Sequence, residues 1–558
     1  MKRSNLLKKI IVCTMTGIML ATTLFGCGKN EEVKKSETQV VSKETESATV
    51  KESESVAVVE EGVTYPLETD ETLTVAIVND NAISAICKDI TETPFWKGLQ
   101  ERTGVKLEAT IVENDNAMSL LLAGGDLPDI IWWRPAKYSG GAVQMIADKL
   151  IEPMTQEELD KWAPDLAALF ASEDEMRKNT MTDAGEIFGF PLAYGDPYLQ
   201  VSAGLICRAD WLEKLDMEVP KTPEQFLDML RAFKNEMGAE IPLIGYPGDF
   251  KAVFGDYGYV TSTFGLPTTK FYQEDGIVKY GYATPEYKEV LKFVKTMYDE
   301  GLIAKDFMTT DGSTIKANMY DGVSGCTWAA VGSGIGTYLK ENAETNPEFD
   351  VVAIGPLVAK EGDRAMYGSQ TGKTHVFTAF ITPQCKNKEL AMKVLNYGYS
   401  EEGNMYFNFG IEGESYEMIN GYPTYTEVIT NNPDGLTMQQ GLAQYVRAWG
   451  TGPYVLRKEY MEQYSALPRQ KEAINTWMNN DCFEYMLPSY TLTTEESSSI
   501  SVISGDISTY ISEMFNKFVT GEVPLDAFET EYLPTLEEMG IDKYIEVVQG
   551  AVDRYYAR

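Results

Sequence analysis

Residues Leu121–Arg134 read LLAGGDLPDIIWWR. Leu121 and Leu122 close a helical stretch, Gly124 and Gly125 make a turn, and Asp129-Ile130-Ile131 is a short apolar run. Bounded by Gly and Pro, that run reads as a buried strand. It carries two adjacent tryptophans, Trp132 and Trp133, and then Arg134, toward its C-terminal end. In an open α/β sheet, ligands settle in the crevice beyond the carboxyl ends of the strands. Flat aromatic rings at such a place are platforms for a sugar, whose C–H face is apolar and whose rim is hydroxyls. Adjacent strand side chains point to opposite faces, so at most one of the two tryptophans faces a ligand and the other is core.

Upstream, Thr72–Val78 (TLTVAIV) alternates as a first strand, Phe95–Arg102 is spaced as an amphipathic helix stopped by Thr103-Gly104, and Val105–Val112 is a second strand. Strands alternating with helices imply a mostly parallel sheet and an α/β fold. Downstream, Leu205–Arg208 reads as a strand followed by a helix that Asp210 caps. Thr222-Pro223-Glu224-Gln225 has the N-cap, first-turn proline and box glutamine of a helix start. Met319–Trp328 is a turn and a short strand, Phe377–Ile381 an apolar strand, and Lys388–Tyr397 a helix. Beyond Tyr399 the chain is helix-rich, with Tyr445, Arg447, Trp449 and Tyr454 irregularly spaced, and it ends in two amphipathic helices.

The 558 residues suffice for a large core and more than one domain. A formal net charge of −36 argues against nucleic acid or anionic lipid as the main partner, since both require a basic footprint. Residues 1–26 have the form of a leader, with Lys2, Arg3, Lys8 and Lys9 ahead of an apolar run from Ile10 to Phe25. The run ends in Leu24-Phe25-Gly26-Cys27, which resembles a bacterial lipobox, so Cys27 is the expected lipidation site. From there to residue 66 the chain is Glu, Lys, Ser, Thr and Val with few aromatics, the composition of a disordered tether. Cys87, Cys207, Cys326, Cys385 and Cys482 are odd in number and scattered, which signals neither a disulfide framework nor a zinc site.

The single histidine, His375, precedes an apolar strand and reads as structural. One histidine disfavours zinc hydrolase and Ser-His-Asp chemistry. No GxSxG, HExxH, Walker or calcium-loop pattern occurs, so no cofactor and no metal are expected.

The blocks GGDLPDIIWW, GEIFGFPLAYG, ICRADWLEKLDMEVPKTPEQF, MYDEGLIAKDF, FNFGIEGESYE and GIDKYIEVVQGAVDRYY resemble, in this order, the family 1 extracellular solute-binding proteins. More narrowly they are similar to the large lipoprotein branch found with carbohydrate ABC importers of Firmicutes. The resemblance implies a periplasmic-binding-protein-like fold, two α/β lobes with a ligand cleft at the hinge, and no catalysis. On that reading residues 67–195 and 374–420 form lobe 1, and residues 196–373 and 421–558 form lobe 2. The implied partners are an oligosaccharide, the transmembrane subunits of an ABC permease, and the membrane through Cys27. The place implied is the extracytoplasmic face of the cell membrane, and the chain is expected to act as a monomer.

Motif by motif, the resemblance puts Trp133 on an aromatic that contacts sugar in a related member, and Trp328 on a second. Tyr194, Asp196 and Tyr198 follow the first crossing segment, where a carboxylate can accept from sugar hydroxyls. Trp132 and Arg134 flank the same platform, and Tyr445, Arg447 and Trp449 fall where further platforms are expected. Arg208 has two readings, a donor to ligand or the partner of a carboxylate within its lobe. Glu412 likewise serves the ligand or anchors its own loop. Arg134, Arg208, Arg364 and Arg447 would suit a uronic acid, although arginine also binds neutral sugars. Two rival functions stand beside this one: a surface glycosidase or lyase working with paired carboxylates, and a binder of peptides or another polar nutrient.

Overall fold

In the computed structural model, which describes residues 62–78, 86–447 and 450–558, the opening stretch becomes a strand in the middle of a six-stranded sheet. The expected leader, Cys27 and Trp449 lie outside the described residues, as does most of the expected tether. The body is already docked at Tyr65, whose hydroxyl donates to the Lys393 carbonyl at 2.6 Å and whose ring meets Tyr397 edge-on.

The chain lays down β1 (Thr72–Val78), β2 (Lys106–Val112), β3 (Ile130–Trp133) and β4 (Phe190–Tyr194) and then crosses to a second body. There it forms β5 (Ala203–Arg208), β6 (Leu243–Ile244), a hairpin of β7 (Phe271–Glu274) and β8 (Ile277–Tyr280), β9 (Cys326–Ala330) and β10 (Val351–Ile354). It returns for β11 (Thr374–Ile381), a hairpin of β12 (Tyr416–Ile419) and β13 (Tyr422–Tyr425), and β14 (Val455–Leu456). The first sheet has the order β14-β4-β11-β3-β1-β2, with β11 the antiparallel member. The second has the order β10-β5-β9-β6. Two α/β bodies result, each with its own sheet and core.

Local chemistry sets the element ends. Thr222 and Gln225 form the capping box ahead of helix Pro223–Asn235, and Gly104, at φ 74°, ends helix Pro94–Thr103 in the left-handed region. One expected cap is corrected: Asp210 does not cap the helix after β5, because both its carboxylate oxygens accept from Arg208 at 2.7 Å.

Both faces of the first sheet are covered. Ile130 and Trp132 enter one core with Trp96 and Phe190, while Ile131 and Trp133 enter the other with Met118 and Phe380. The second body packs β5 and β9 against Phe226, Phe254 and the helices Tyr287–Asp299 and Thr494–Thr520.

The boundary expected at residue 420 is displaced. Strand β14 pairs with β4, and Tyr425, Ile429, Leu442, Tyr454 and Tyr460 all join the first core. The last crossing therefore falls near Met461, which touches both cores. The other crossings bind each other: Thr371 N donates to the Gln200 carbonyl at 2.8 Å, and Gln200 Nε2 to the Thr371 carbonyl at 2.9 Å. A further tie comes from the final helix, Ile541–Ala557, which is rooted in the second body. Its Arg554, and Arg558 just past its end, reach Asp183 of the first, and Arg554 also holds Glu496.

Candidate functional site

Because β11 runs against its neighbours, its N-terminus lies at the same sheet edge as the C-terminal ends of β1, β2, β3 and β4. The chain leaves for the second body at that edge. Along β11, Thr374 pairs with Ala193 but Thr378 pairs with Pro191, so the residues between them bulge out of register. A bulge re-aims side chains, and bulges are common beside binding sites.

Here the bulge stacks His375 on Phe377, with ring centroids 5.3 Å apart and planes 11° from parallel. Tyr194 meets His375 edge-on at 5.8 Å. The Arg134 guanidinium lies 4.9 Å over the other ring, Phe377, which extends the ladder by a cation–π contact. Asp115, at the start of helix Asp115–Gly124, fixes this end: it accepts from Arg134 at 2.5 Å and from the Trp133 indole at 2.9 Å. The hydrogen bond from Arg134 holds the Asp115 carboxyl below the usual carboxylate range. Burial, aided by the charge on Arg134, pushes His375 down to about 4, so the imidazole is neutral at physiological pH. Burial pushes the Tyr194 phenol up to about 12, so it keeps its proton as a donor.

The second body presents a different platform at the matching edge, where β5 begins and β9 and β6 end. Trp328 of β9 is half-buried, and Tyr257 stacks on it at 5.1 Å and 13°. Tyr259, fully buried, props the indole edge-on at 5.5 Å. Tyr257 follows a π-helical turn, Ala252–Asp256, and a second, Val331–Gly336, follows β9. Such turns are rare and concentrate at functional sites. Buried Asp256 accepts from Thr269 at 2.8 Å and from the Tyr282 hydroxyl, and it pairs with Lys270 at 3.5 Å; the Lys270 ammonium lies 5.7 Å over the Tyr257 ring. Stacked rings beside paired charges suit a ligand with flat apolar faces and a hydroxylated rim.

The other expected site residues divide by burial. Trp133 is 0% exposed, with its ring in the second core of the first sheet; this corrects the expectation that it is a platform. The reason is that helices cover both faces of β3. Trp132 is also buried, stacked on Trp96 at 5.5 Å. Arg208 takes its structural reading: buried, bidentate to Asp210, and held over Trp211 and Phe349.

Tyr198 is core, with Lys458 5.4 Å over its ring, and Asp196 caps the short turn Pro197–Leu199 by accepting from Tyr198 N at 2.8 Å. Tyr445 is buried and donates to Glu414. Arg447 is buried and donates to the Thr451 carbonyl at 2.9 Å, its guanidinium 5.9 Å from the Trp132 ring. Glu412 is exposed over a surface pocket of about 570 Å³ shared with Arg102, Glu401 and Tyr406, and none of the residues lining it belongs to either rim.

Of the expected set, Arg134, Tyr194 and Trp328 are the residues at the rims. Asp115, Tyr257, Lys270 and Phe377 join them without having been singled out in the sequence, and His375 takes a rim position rather than a purely structural one. The one available signal was Tyr257, set in Gly255-Asp256-Tyr257-Gly258. No helix among the described residues is long and apolar enough to cross a membrane.

Residues 87–405 match the model of a family described as bacterial extracellular solute-binding protein. The chain is 25% identical over 529 residues to the fructooligosaccharide ABC transporter substrate-binding protein FusA of Streptococcus pneumoniae, covering 89% of this chain and 93% of that one. Among solved structures it superposes on the alginate-binding protein AlgQ2 without calcium ion, with TM-score 0.68, 23% identity, and 87% and 99% of the two chains covered. A Bifidobacterium longum infantis HMO-binding solute-binding protein gives TM-score 0.69 at 20% identity, over 87% of this chain and 99% of that one. With more than half of its length matched by the family model, and with two α/β bodies joined by crossing segments, the chain belongs to the bacterial extracellular solute-binding proteins.

Proposed function

We infer that this protein is the extracytoplasmic solute-binding lipoprotein of an ABC importer, which captures an oligosaccharide between its two bodies and delivers it to the membrane permease. The observation that carries the reading is the pair of aromatic rims at the strand ends: Tyr257 on Trp328 in one body, and Arg134, Phe377, His375 and Tyr194 in the other. A ligand that touches both rims stabilises the closed arrangement, because only there are both sets of contacts made. FusA, a fructooligosaccharide-binding relative, supports the sugar class. The lipid anchor rests on Cys27 in its lipobox-like setting. The role is binding without turnover, as in the substrate-binding relatives that the chain resembles.

A thermal-shift screen of residues 62–558 against oligosaccharides tests the ligand class. At 100 times its dissociation constant a ligand adds about 2.7 kcal/mol of stability. Response to peptides alone would overturn the sugar reading, and cleavage of oligosaccharides on long incubation would overturn the transport reading. For the anchor, Cys27→Ser should release the protein from the membrane fraction into the medium; unchanged retention would refute lipidation there.

A further inference from the structure

We propose that the site is built for an uncharged oligosaccharide and discriminates against uronic acids, an inference that rests on the sugar-binding reading above. A uronate carboxylate is recognised by a cation whose charge is available, most often an arginine fork. The arginines among the described residues are engaged: ten are matched to carboxylates, and buried Arg447 donates to Thr451. The four that would have suited a uronic acid are all engaged: Arg134 with Asp115, Arg208 with Asp210, Arg364 with Asp481, and Arg447 with Thr451.

Three lysines near the rims and crossings are matched as well: Lys270 with Asp256, Lys373 with Glu173, and Lys458 with Glu462. His375 contributes no positive charge near neutral pH. Lys137 adds its field to the same Asp115 that holds Arg134.

Asp115 decides the matter at the first rim. A ligand carboxylate seeking Arg134 would meet Asp115, and two carboxylates on one guanidinium repel. Asp115 cannot easily turn away, because it also accepts from the buried Trp133 indole at 2.9 Å. A sugar hydroxyl meets no such obstacle. It can accept from the guanidinium N–H groups that Asp115 leaves over, and donate to the carboxylate, without adding charge. At the second rim Asp256 plays the same part for Lys270. The surrounding net charge of −36 adds a long-range bias in the same direction.

The test is isothermal titration of residues 62–558 with matched tetrasaccharides, four neutral (fructo-, malto-, xylo- and manno-) and two acidic (galacturonate and mannuronate), at 10 mM and 150 mM salt. The expected result is binding of at least one neutral tetramer, with both acidic ones at least tenfold weaker at either salt. Asp115→Asn, which leaves Arg134 unmatched, should narrow that ratio by tenfold or more. Comparable or tighter binding of an acidic tetramer by the unaltered protein would overturn the inference and leave the oligosaccharide reading intact. Silence from all six overturns it too, and if a pool of tri- to hexapeptides then binds, the oligosaccharide reading falls with it. An unchanged ratio in Asp115→Asn would show that the Arg134 pair does not set the preference.

Discussion

Trp133 and Tyr257 are both large aromatic residues near strand ends, and burial separates their roles. Trp133→Ala empties a fully buried site and frees the Asp115 oxygen that its indole holds. It should cost about 3–5 kcal/mol, read as a shift in the midpoint of urea unfolding. Tyr257 is 36% exposed, so Tyr257→Ala should cost about 1 kcal/mol or less, yet weaken oligosaccharide binding at least tenfold by titration calorimetry. If Tyr257→Ala leaves affinity unchanged, the Trp328 platform is not where the ligand sits. His375 supplies a pH test. Its pKa is about 4 when folded against 6.5 for the free side chain, so the unfolded chain binds the extra proton first. The stability at stake is fully present above pH 6.5 and is lost as pH falls toward 4, by at most about 3 kcal/mol. His375→Gln should therefore have a flatter melting-temperature profile between pH 6.5 and 4.5 than the unaltered protein. Parallel profiles would show that the imidazole is protonated in the fold.

Elements set what those residues can do. Gly204 in β5 lies against the Trp477 ring, and the Trp477 indole N–H is shared between the carbonyls of Leu205 and Ile354. A methyl group there would push the ring out of the joint between β5, β10 and helix Pro468–Trp477. Gly204→Ala should thus destabilise by about 1–3 kcal/mol, seen as a lower melting temperature. The same scale explains what the sequence discloses. Strands β1 to β3 and the Thr222 box are legible because alternation and capping are local signals. That Trp132 and Trp133 face opposite ways was legible too; that both faces are covered was not, since coverage depends on helices distant in the chain. The rim on β11 escaped for a related reason. Its apolar part, Phe377–Ile381, announces a strand, but the slip that stacks His375 on Phe377 arises only from pairing with β4. Pairing partners, unlike periodicity, leave no mark on a single stretch.

In the whole molecule, the two bodies are joined by three crossings and by the Asp183–Arg554–Glu496 tie. If closure accompanies binding, the radius of gyration from small-angle scattering should fall when an oligosaccharide is added. Asp183→Asn removes the charge that holds Arg554 and Arg558, so the ligand-free protein should become more extended by the same measure. No change in Asp183→Asn would mean that the crossings alone fix the angle. The crossings also govern timing. β4 is completed early, but the strand that covers its outer side, β14, comes only after the second sheet and β11 have been made. A chain emerging from its N-terminus therefore carries β4 unpaired until β11 arrives, and with one open edge until β14 follows. Open edges recruit other chains, and long-range pairings form slowly. Demand for holdase protection during biogenesis is thus set by how long β4 waits for its neighbour.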